Sequence, residues 1–279
     1  MTKRALDIVV ISDVHLGTYG CHAKELLKYL KSIDPKIIIL NGDIVDIWQF
    51  SKKYWPETHL KILRKLMKFV VEGVSVYYLT GNHDELLRKF ADLHLGSFHL
   101  QNKLVLNFDG KRAWFFHGDV FDVTMQHSKW LAKLGAIGYD SLILLNSLVN
   151  WFLVRIGREK MSFSQKIKAK FKDAVKFINN FEHTAAALAA EKGYDYVVCG
   201  HIHQPEIKQI DNILYLNSGD WVESLTALEY RNKQWEIFNY EAKYFESDEV
   251  EEGVLSDSED LKSKLDINTL LQKIKLEVG

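Results

Sequence analysis

Six short apolar segments in this chain each run into a cluster of Asp, His or Asn residues beside a Gly. Each segment consists mostly of β-branched or aromatic residues and ends at a Gly corner, which is typical of buried strands. In open α/β sheets, ligands bind just beyond the carboxyl ends of the strands. The pattern therefore predicts that at least five of the clusters converge on one site. The segments are Ile8–Ser12, Ile37–Asn41, Val76–Thr80, Ala113–Phe116, Tyr196–Cys199 and Ile213–Asn217.

The spacing between these segments predicts an α/β protein. Residues His22–Ile33 and Glu57–Val71 have helical periodicity and follow the first and second strands. This alternation indicates parallel strands with helices covering the sheet. The turn dipeptide Asp109-Gly110 predicts a hairpin between Leu104–Phe108 and Trp114–Phe116. We expect a two-layer sheet core with helices outside it.

A helical insertion is predicted at about residues 121–192. Its segment Ser141–Val154 is apolar on nearly all sides, yet it is shorter than the roughly 20 residues of a membrane span and carries Asn146 and Asn150. One interpretation is a helix buried in an inserted cap. The other is an apolar pocket or membrane-facing surface for an acyl substrate, whose anionic head the following basic residues would bind. The candidate substrate-binding residues are Trp151, Arg155, Arg158 and Lys166.

Composition limits the other classes of function. The 279 residues are 47% apolar, enough for one large core, and we assign the main domain to residues 1–245. A net charge of −1 gives no electrostatic footprint for nucleic acid, and two cysteines provide no disulfide framework. Residues 246–260 form an acidic linker and residues 261–279 an amphipathic helix by their patterns. The amino-terminal residues lack a signal-peptide pattern, which predicts a cytoplasmic protein.

The side chains in the clusters are those that hold metal ions. Asp13 and His15 alternate at a strand end, as do His201 and His203, so each pair faces one side. Asp43 has two carboxylate oxygens and can bridge two ions. Such mixed ligands suit Mn²⁺, Fe or Zn²⁺, and the lack of cysteine among them argues against a structural zinc site. The candidate ligands are Asp13, His15, Asp43, Asn82, His117, His201 and His203.

Seven ligands of which one bridges is the number expected for a site with two metal ions. Such a site stabilises both ends of an in-line displacement at phosphorus, and a metal-held hydroxide would be the nucleophile. His83 remains outside the ligand set. It would protonate the leaving oxygen or stabilise the equatorial oxygens, with Asp84 orienting it.

Together the motifs resemble those of the calcineurin-like metallophosphoesterases over about residues 7–230. The resemblance implies a four-layer α/β/β/α sandwich with a helical cap insertion. It also implies that Asp13, His15, Asp43 and His203 hold one ion and that Asp43, Asn82, His117 and His201 hold the other. The motifs are Asp13-Val14-His15, Gly42-Asp43, Gly81-Asn82-His83-Asp84, His117-Gly118-Asp119 and Gly200-His201-Ile202-His203.

Longer matches make the chain most similar to the UDP-2,3-diacylglucosamine pyrophosphatases of lipid A synthesis. They are Ile11–Gly17, Asn41–Trp48, Phe116–Asp119 and Ser218–Trp221. This similarity implies hydrolysis of UDP-2,3-diacylglucosamine to UMP and 2,3-diacylglucosamine 1-phosphate by two divalent ions, Mn first and Fe, Zn or Ni as alternatives. It also implies a nucleotide-linked lipid as substrate and peripheral contact with the inner face of the cytoplasmic membrane.

One residue departs from that subgroup. His83 stands where its best-known branch has Arg, and it restores the general phosphoesterase pattern. The alternative substrate is therefore another nucleotide, a phospholipid or a phosphoprotein. A third hypothesis, a non-catalytic scaffold that uses the cap to bind a partner, is disfavoured because all seven ligands are retained.

Overall fold

The computed structural model describes residues 3–48, 54–121, 178 and 180–241, and within them it contains two β-sheets. The strands of the first sheet are β1 (Arg4–Ile11), β2 (Ile33–Asn41), β3 (Ser75–Leu79), β4 (Leu93–Leu95), β5 (Phe98–Gln101), β11 (Thr226–Arg231) and β12 (Gln234–Asn239). Those of the second are β6 (Lys103–Phe108), β7 (Lys111–Phe116), β8 (Tyr196–Cys199), β9 (Glu206–Ile210) and β10 (Ile213–Asn217). The helices are α1 (Ala23–Ser32), α2 (Glu57–Val71) and α3 (180–191), with 3₁₀ turns at Glu85–Phe90 and Asp119–Phe121.

The six predicted segments form six of the seven parallel strands of the two sheets. In the first sheet, whose order is β12-β11-β1-β2-β3-β5-β4, strands β1, β2, β3 and β5 are parallel neighbours. In the second, whose order is β6-β7-β8-β10-β9, strands β7, β8 and β10 are parallel. Because parallel strands end at the same edge, each sheet brings its Asp- and His-bearing loops together.

Three separate cores confirm the four-layer α/β/β/α arrangement. Helices α1 and α2 cover the outer face of the first sheet, where Leu26 and Phe69 pack with Val9. Residues next to Val9 in β1 point the other way, so Ile8 packs between the two sheets. Helix α3 covers the second sheet through Phe181 and other apolar residues. Each large buried side chain contributes about 1.5–3 kcal/mol by leaving water.

The hairpin predicted at Asp109-Gly110 is present between β6 and β7, with φ of 50° and 73° at the two turn residues. Strands β4, β5 and β9 and the 3₁₀ turn at Glu85–Phe90 were not predicted. All three residues of β4 are exposed, and β9 is only partly buried, so neither shows a long apolar run.

Several sequence predictions fall outside the described residues. Most of the insertion does so, including Trp151, Arg155, Arg158 and Lys166, as do the acidic linker and the amphipathic helix. The limits of the domains therefore stay predictions. Within the described part of the chain, no helix combines the length and apolar character that crossing a membrane requires.

Candidate metal centre

Six of the seven candidate ligands, all except Asn82, meet with His83 at the carboxyl edges of the two sheets in three overlapping groups. They are Asp13 with His15 and His203, His15 with Asp43 and His83, and Asp43 with His117 and His201. Within each group the candidate ligand atoms lie within 4.8 Å of one another. His15 is shared by the first two groups and Asp43 by the last two, so the groups form one continuous cluster. Asp43 therefore has the position required of a ligand that is shared between two ions.

The backbone at these residues is left-handed. Asp13, His15, Asp43, His201 and His203 have φ between 52° and 67°. This conformation costs about 1–3 kcal/mol at each non-glycine residue and persists only where the surrounding structure enforces it. Hydrogen bonds between neighbouring loops do so here, because Asp13 N donates to Gly42 O over 3.1 Å and His15 N donates to Asp43 O over 2.9 Å.

Two glycines allow the loops to come this close. A Cβ atom on Gly42 would overlap the imidazole ring of His117, and one on Gly81 would overlap the carboxylate of Asp43. Any side chain at either position would therefore displace a candidate ligand. Gly42 and Gly81 of the sequence motifs are thus explained by their close approach to the cluster.

Four of the seven candidate ligands carry a buried polar atom that has no hydrogen-bond partner among the described residues. These atoms are Asp13 Oδ1, His15 Nε2, Asn82 Oδ1 and His117 Nε2. Two of them, Asp13 Oδ1 and His117 Nε2, lie 3.2 Å from His203 Nε2 and Asp43 Oδ2, at ion-pair distance. Buried polar atoms in folded proteins are nearly always hydrogen-bonded, so four atoms that lack such a bond are candidates for binding a cation. Carboxylate, amide and imidazole donors together fit divalent cations of the first transition row.

Hydrogen bonds on the far sides of the rings fix which nitrogen faces the cluster. His117 Nδ1 donates to the carbonyl oxygen of Asn41 over 2.9 Å, which leaves Nε2 directed at Asp43, 3.2 Å from its Oδ2. His203 Nε2 lies 3.2 Å from Asp13 Oδ1, and its Nδ1 faces Asp220 at an ion-pair distance of 3.8 Å, too long for a hydrogen bond. This arrangement is common for metal-binding imidazoles, whose second nitrogen is held by a carboxylate or carbonyl.

The pKa shifts of these groups indicate that the site attracts positive charge. Burial by itself would raise the pKa of Asp13, but the imidazoles of His203 and His117 outweigh it and hold that pKa well below its usual range. Burial opposes protonation of His203, yet Asp13 raises its pKa to about 9. The pKa of His117 is likewise raised, by Asp43 against the effect of burial. Protons on the imidazoles supply the positive charge that the carboxylates demand.

The partner of His83 is Asp46, and the prediction that Asp84 orients this ring is wrong. His83 Nδ1 donates to Asp46 Oδ2 over 2.9 Å, and His15 Nδ1 lies 3.3 Å from the same oxygen. The hydrogen bond to Asp46 raises the pKa of His83. The carboxylate of Asp84 instead accepts from Gly81 N, Ile44 N and the Tyr78 hydroxyl. Burial, followed by the charge of Asp43, raises the pKa of Asp84 to about 6.

Asp220 supports the site from the loop after β10, a role that the sequence analysis did not assign. Its Oδ1 accepts from three consecutive backbone N–H groups, those of Val222, Glu223 and Ser224. The same loop reaches the cluster through Trp221 N, which donates to Asp13 O over 3.1 Å. The sequence feature that could have identified Asp220 is its position after a buried strand and a glycine.

Comparison with known proteins identifies the family of this chain. The sequence profile of the calcineurin-like phosphoesterases matches residues 6–205 of the chain. The chain belongs to this family.

Several relatives of this phosphoesterase are named UDP-2,3-diacylglucosamine hydrolase. One from Aliivibrio fischeri is 22% identical over 85% of this chain and 100% of its own length. One from Blochmanniella pennsylvanica is 26% identical over 74% of this chain and 82% of its own length. Among solved structures, an archaeal phosphodiesterase covers 83% of this chain and 98% of that protein at 13% identity, with a TM-score of 0.42. The family and the relatives identify a metal-dependent phosphoesterase, which is a hydrolase.

Proposed function

We propose that this phosphoesterase hydrolyses UDP-2,3-diacylglucosamine to UMP and 2,3-diacylglucosamine 1-phosphate, and that two divalent ions, Mn²⁺ first among them, serve the reaction. The observation that carries the two-ion proposal is the continuous cluster in which Asp43 belongs to two ligand groups. The names of the relatives from Aliivibrio fischeri and Blochmanniella pennsylvanica support the substrate.

The ligand sets that we propose share Asp43. Asp13, His15 and His203 would complete one set, and Asn82, His117 and His201 the other. The ions, when bound, polarise the phosphoryl oxygens and lower the pKa of a water molecule. Asp13 Oδ1, His15 Nε2, Asn82 Oδ1 and His117 Nε2, which lack a hydrogen bond among the described residues, are the donor atoms that this arrangement would use.

His83 is the residue that we propose as general acid. Its side chain is 27% exposed, so it is open to a substrate, while Asp46 holds its Nδ1 from the buried side. Nε2 is thereby the nitrogen free to give a proton to the leaving oxygen. Because the hydrogen bond to Asp46 raises the pKa of His83, the ring keeps that proton to higher pH than a free imidazole would.

We propose that the lipid part of the substrate binds the predicted helical insertion, through Trp151, Arg155, Arg158 and Lys166. The apolar segment would take the acyl chains and the basic residues the anionic head. Such a substrate resides in a bilayer, so the proposal includes peripheral contact with the inner face of the cytoplasmic membrane.

Replacing Asp43 by Asn tests the shared ligand. Asn keeps the shape and tolerates the left-handed backbone at φ 54°, but it removes the charge. We expect the rate of UMP release to fall by more than the roughly 10–100-fold that is typical for residues that only orient a metal ligand, and we expect the bound metal to be lost. Asp211→Asn is the matched control, because Asp211 is exposed and also has a left-handed φ of 50°. If Asp43→Asn kept normal metal content and turnover, the shared-ligand proposal would fail.

A substrate panel tests the finer assignment. UMP release from UDP-2,3-diacylglucosamine, without turnover of UDP-glucosamine, is the expected result, and Trp151→Glu should weaken the lipid reaction while sparing bis-p-nitrophenyl phosphate. Cleavage of that ester alone would favour another nucleotide, a phospholipid or a phosphoprotein as substrate. Inactivity on every ester with every divalent ion would favour the scaffold hypothesis.

A further inference from the structure

Two histidines outside the candidate metal centre face each other at the edge of the first sheet. His94 in β4 and His99 in β5 are cross-strand partners in an antiparallel hairpin, next to the pair Leu95 and Phe98 that closes its turn. Directly opposed residues of this kind have Cβ atoms about 4.5–5.5 Å apart, so their side chains meet. The two Nδ1 atoms are 2.6 Å apart, and the ring planes cross at 67°.

Two imidazole nitrogens at this separation share either a proton, as an N–H···N hydrogen bond, or a metal ion. A neutral imidazole has one nitrogen with a lone pair and one with a proton, and two facing lone pairs repel. Burial, followed by the nearby His94, lowers the pKa of His99, which favours the neutral ring. Either a single proton or a metal ion can occupy the space between the rings.

The surroundings favour a metal ion that is open to solvent on one side. His99 stacks on Tyr77 with ring centroids 4.8 Å apart and planes 20° apart, which fixes the direction of its Nδ1. His94 is exposed, so an ion has a path to the pair. Metal–nitrogen bonds of about 2.0–2.1 Å place two adjacent ligands about 3 Å apart, so the pair has to open by only about half an ångström.

We propose that His94 and His99 form a second metal site, which binds a divalent ion such as Ni²⁺ or Zn²⁺ and completes its coordination with water. Imidazole is the protein ligand that these ions share, and the site offers no thiolate. This site is independent of the proposed reaction and of the seven candidate ligands.

The hairpin connects this site to the loop that carries Asn82. Beyond His99, the carbonyl oxygen of Gln101 accepts from Thr80 N over 3.1 Å, and Asn102 accepts from the Thr80 hydroxyl over 2.8 Å. Thr80 is two residues before Asn82 in the chain. An ion that holds β4 against β5 would therefore stabilise the strand on which this loop rests.

Measurement of bound Ni²⁺ tests the proposal on the full chain. Wild-type protein should hold one Ni²⁺ more per chain at equilibrium than either His94→Asn or His99→Asn, since the uptake of the metal centre is common to all three. His22→Asn is the matched control, because His22 is also exposed and lies beside one carboxylate, that of Glu25. This variant should bind as much Ni²⁺ as the wild type.

A second measurement needs no variant and so does not depend on correct folding of one. Diethyl pyrocarbonate modifies neutral imidazoles, and mass spectrometry gives the modified fraction at each histidine. Ni²⁺ should protect His94 and His99 and leave His22 reactive. Equal Ni²⁺ uptake by the wild type and both hairpin variants, or absence of protection, would overturn the proposal and show that the pair shares a proton instead.

Discussion

Replacement of Asp46 tests whether the buried carboxylate controls His83. Asp46 is 1% exposed, and its Oδ2 receives His83 Nδ1 at 2.9 Å and His15 Nδ1 at 3.3 Å. A hydrogen bond to a charged group contributes about 1.5–3 kcal/mol and a neutral one about half as much. Asp46→Asn keeps an oxygen acceptor but loses the charge, which costs about 1–1.5 kcal/mol at the shorter bond. Because 1.4 kcal/mol corresponds to about tenfold, kcat/KM should fall about tenfold.

Asp46→Ala should be more severe, since it leaves two imidazole N–H groups without an acceptor in a buried position. The added cost of an unpaired buried donor is about 1–3 kcal/mol, which brings the expected loss of kcat/KM to about 100-fold. The pH dependence provides a second signature. Because Asp46 raises the pKa of His83, its removal should move the alkaline limb of kcat/KM toward lower pH.

The assay is the rate of UMP release as a function of pH for wild type, Asp46→Asn and Asp46→Ala, each at saturating Mn²⁺. Asp109→Asn is the control, because Asp109 also accepts a hydrogen bond from a side chain, that of Tyr230, but lies before β7 at the opposite edge of the sheet. If Asp46→Asn kept the wild-type rate and an unchanged alkaline limb, the role given to the pair of Asp46 and His83 would be refuted.

Three further predictions follow from the same geometry. Metal binding near neutral pH should release protons, because Asp13 raises the pKa of His203 to about 9 against burial and a metal-bound imidazole must be neutral. Calorimetry in buffers of different protonation enthalpy measures the number of protons released, and this number should decline as pH rises through about 9. Gly81→Ala should lower kcat about 100-fold by displacing Asp43, and normal kcat would contradict the close approach. Glu229→Gln should lower the free energy of unfolding in urea by about 2 kcal/mol and leave kcat unchanged, since the buried carboxylate of Glu229 receives two bonds from Arg4 away from the site.

Six of the seven parallel strands were predictable because of their burial, whereas β5, in which only one residue is buried, was not. A strand covered on both faces needs apolar residues at successive positions, and β1 shows this in Ile8, Val9, Val10 and Ile11, all buried. The edge strand β4 has no such requirement, since none of its residues is buried. Strand β4 forms because it pairs with β5, and this contact cannot be predicted from the local sequence of β4.

The same distinction applies inside the site. Candidate ligands were predicted from their positions at strand ends, because topology alone brings such ends together. The partner of His83 was not predictable in this way. Asp84 is adjacent to His83 in the chain, but its carboxylate turns back to Gly81 N at 2.6 Å, while Asp46 arrives from the loop after β2. Adjacency in sequence does not specify side-chain direction.

The left-handed backbone at five candidate ligands has a consequence for how the site forms. Its cost, about 1–3 kcal/mol per residue, is offset by contacts within the protein, since each loop is hydrogen-bonded to another. Gly200 N donates to His117 O, Trp221 N to Asp13 O and Ile47 N to His83 O, all within 3.1 Å. These bonds join neighbouring loops within each sheet, and the bond from Trp221 to Asp13 also joins a loop of one sheet to a loop of the other. Backbone hydrogen bonds within the protein therefore hold the loops that carry the candidate ligands, in contrast to small zinc domains, whose folding depends on the metal.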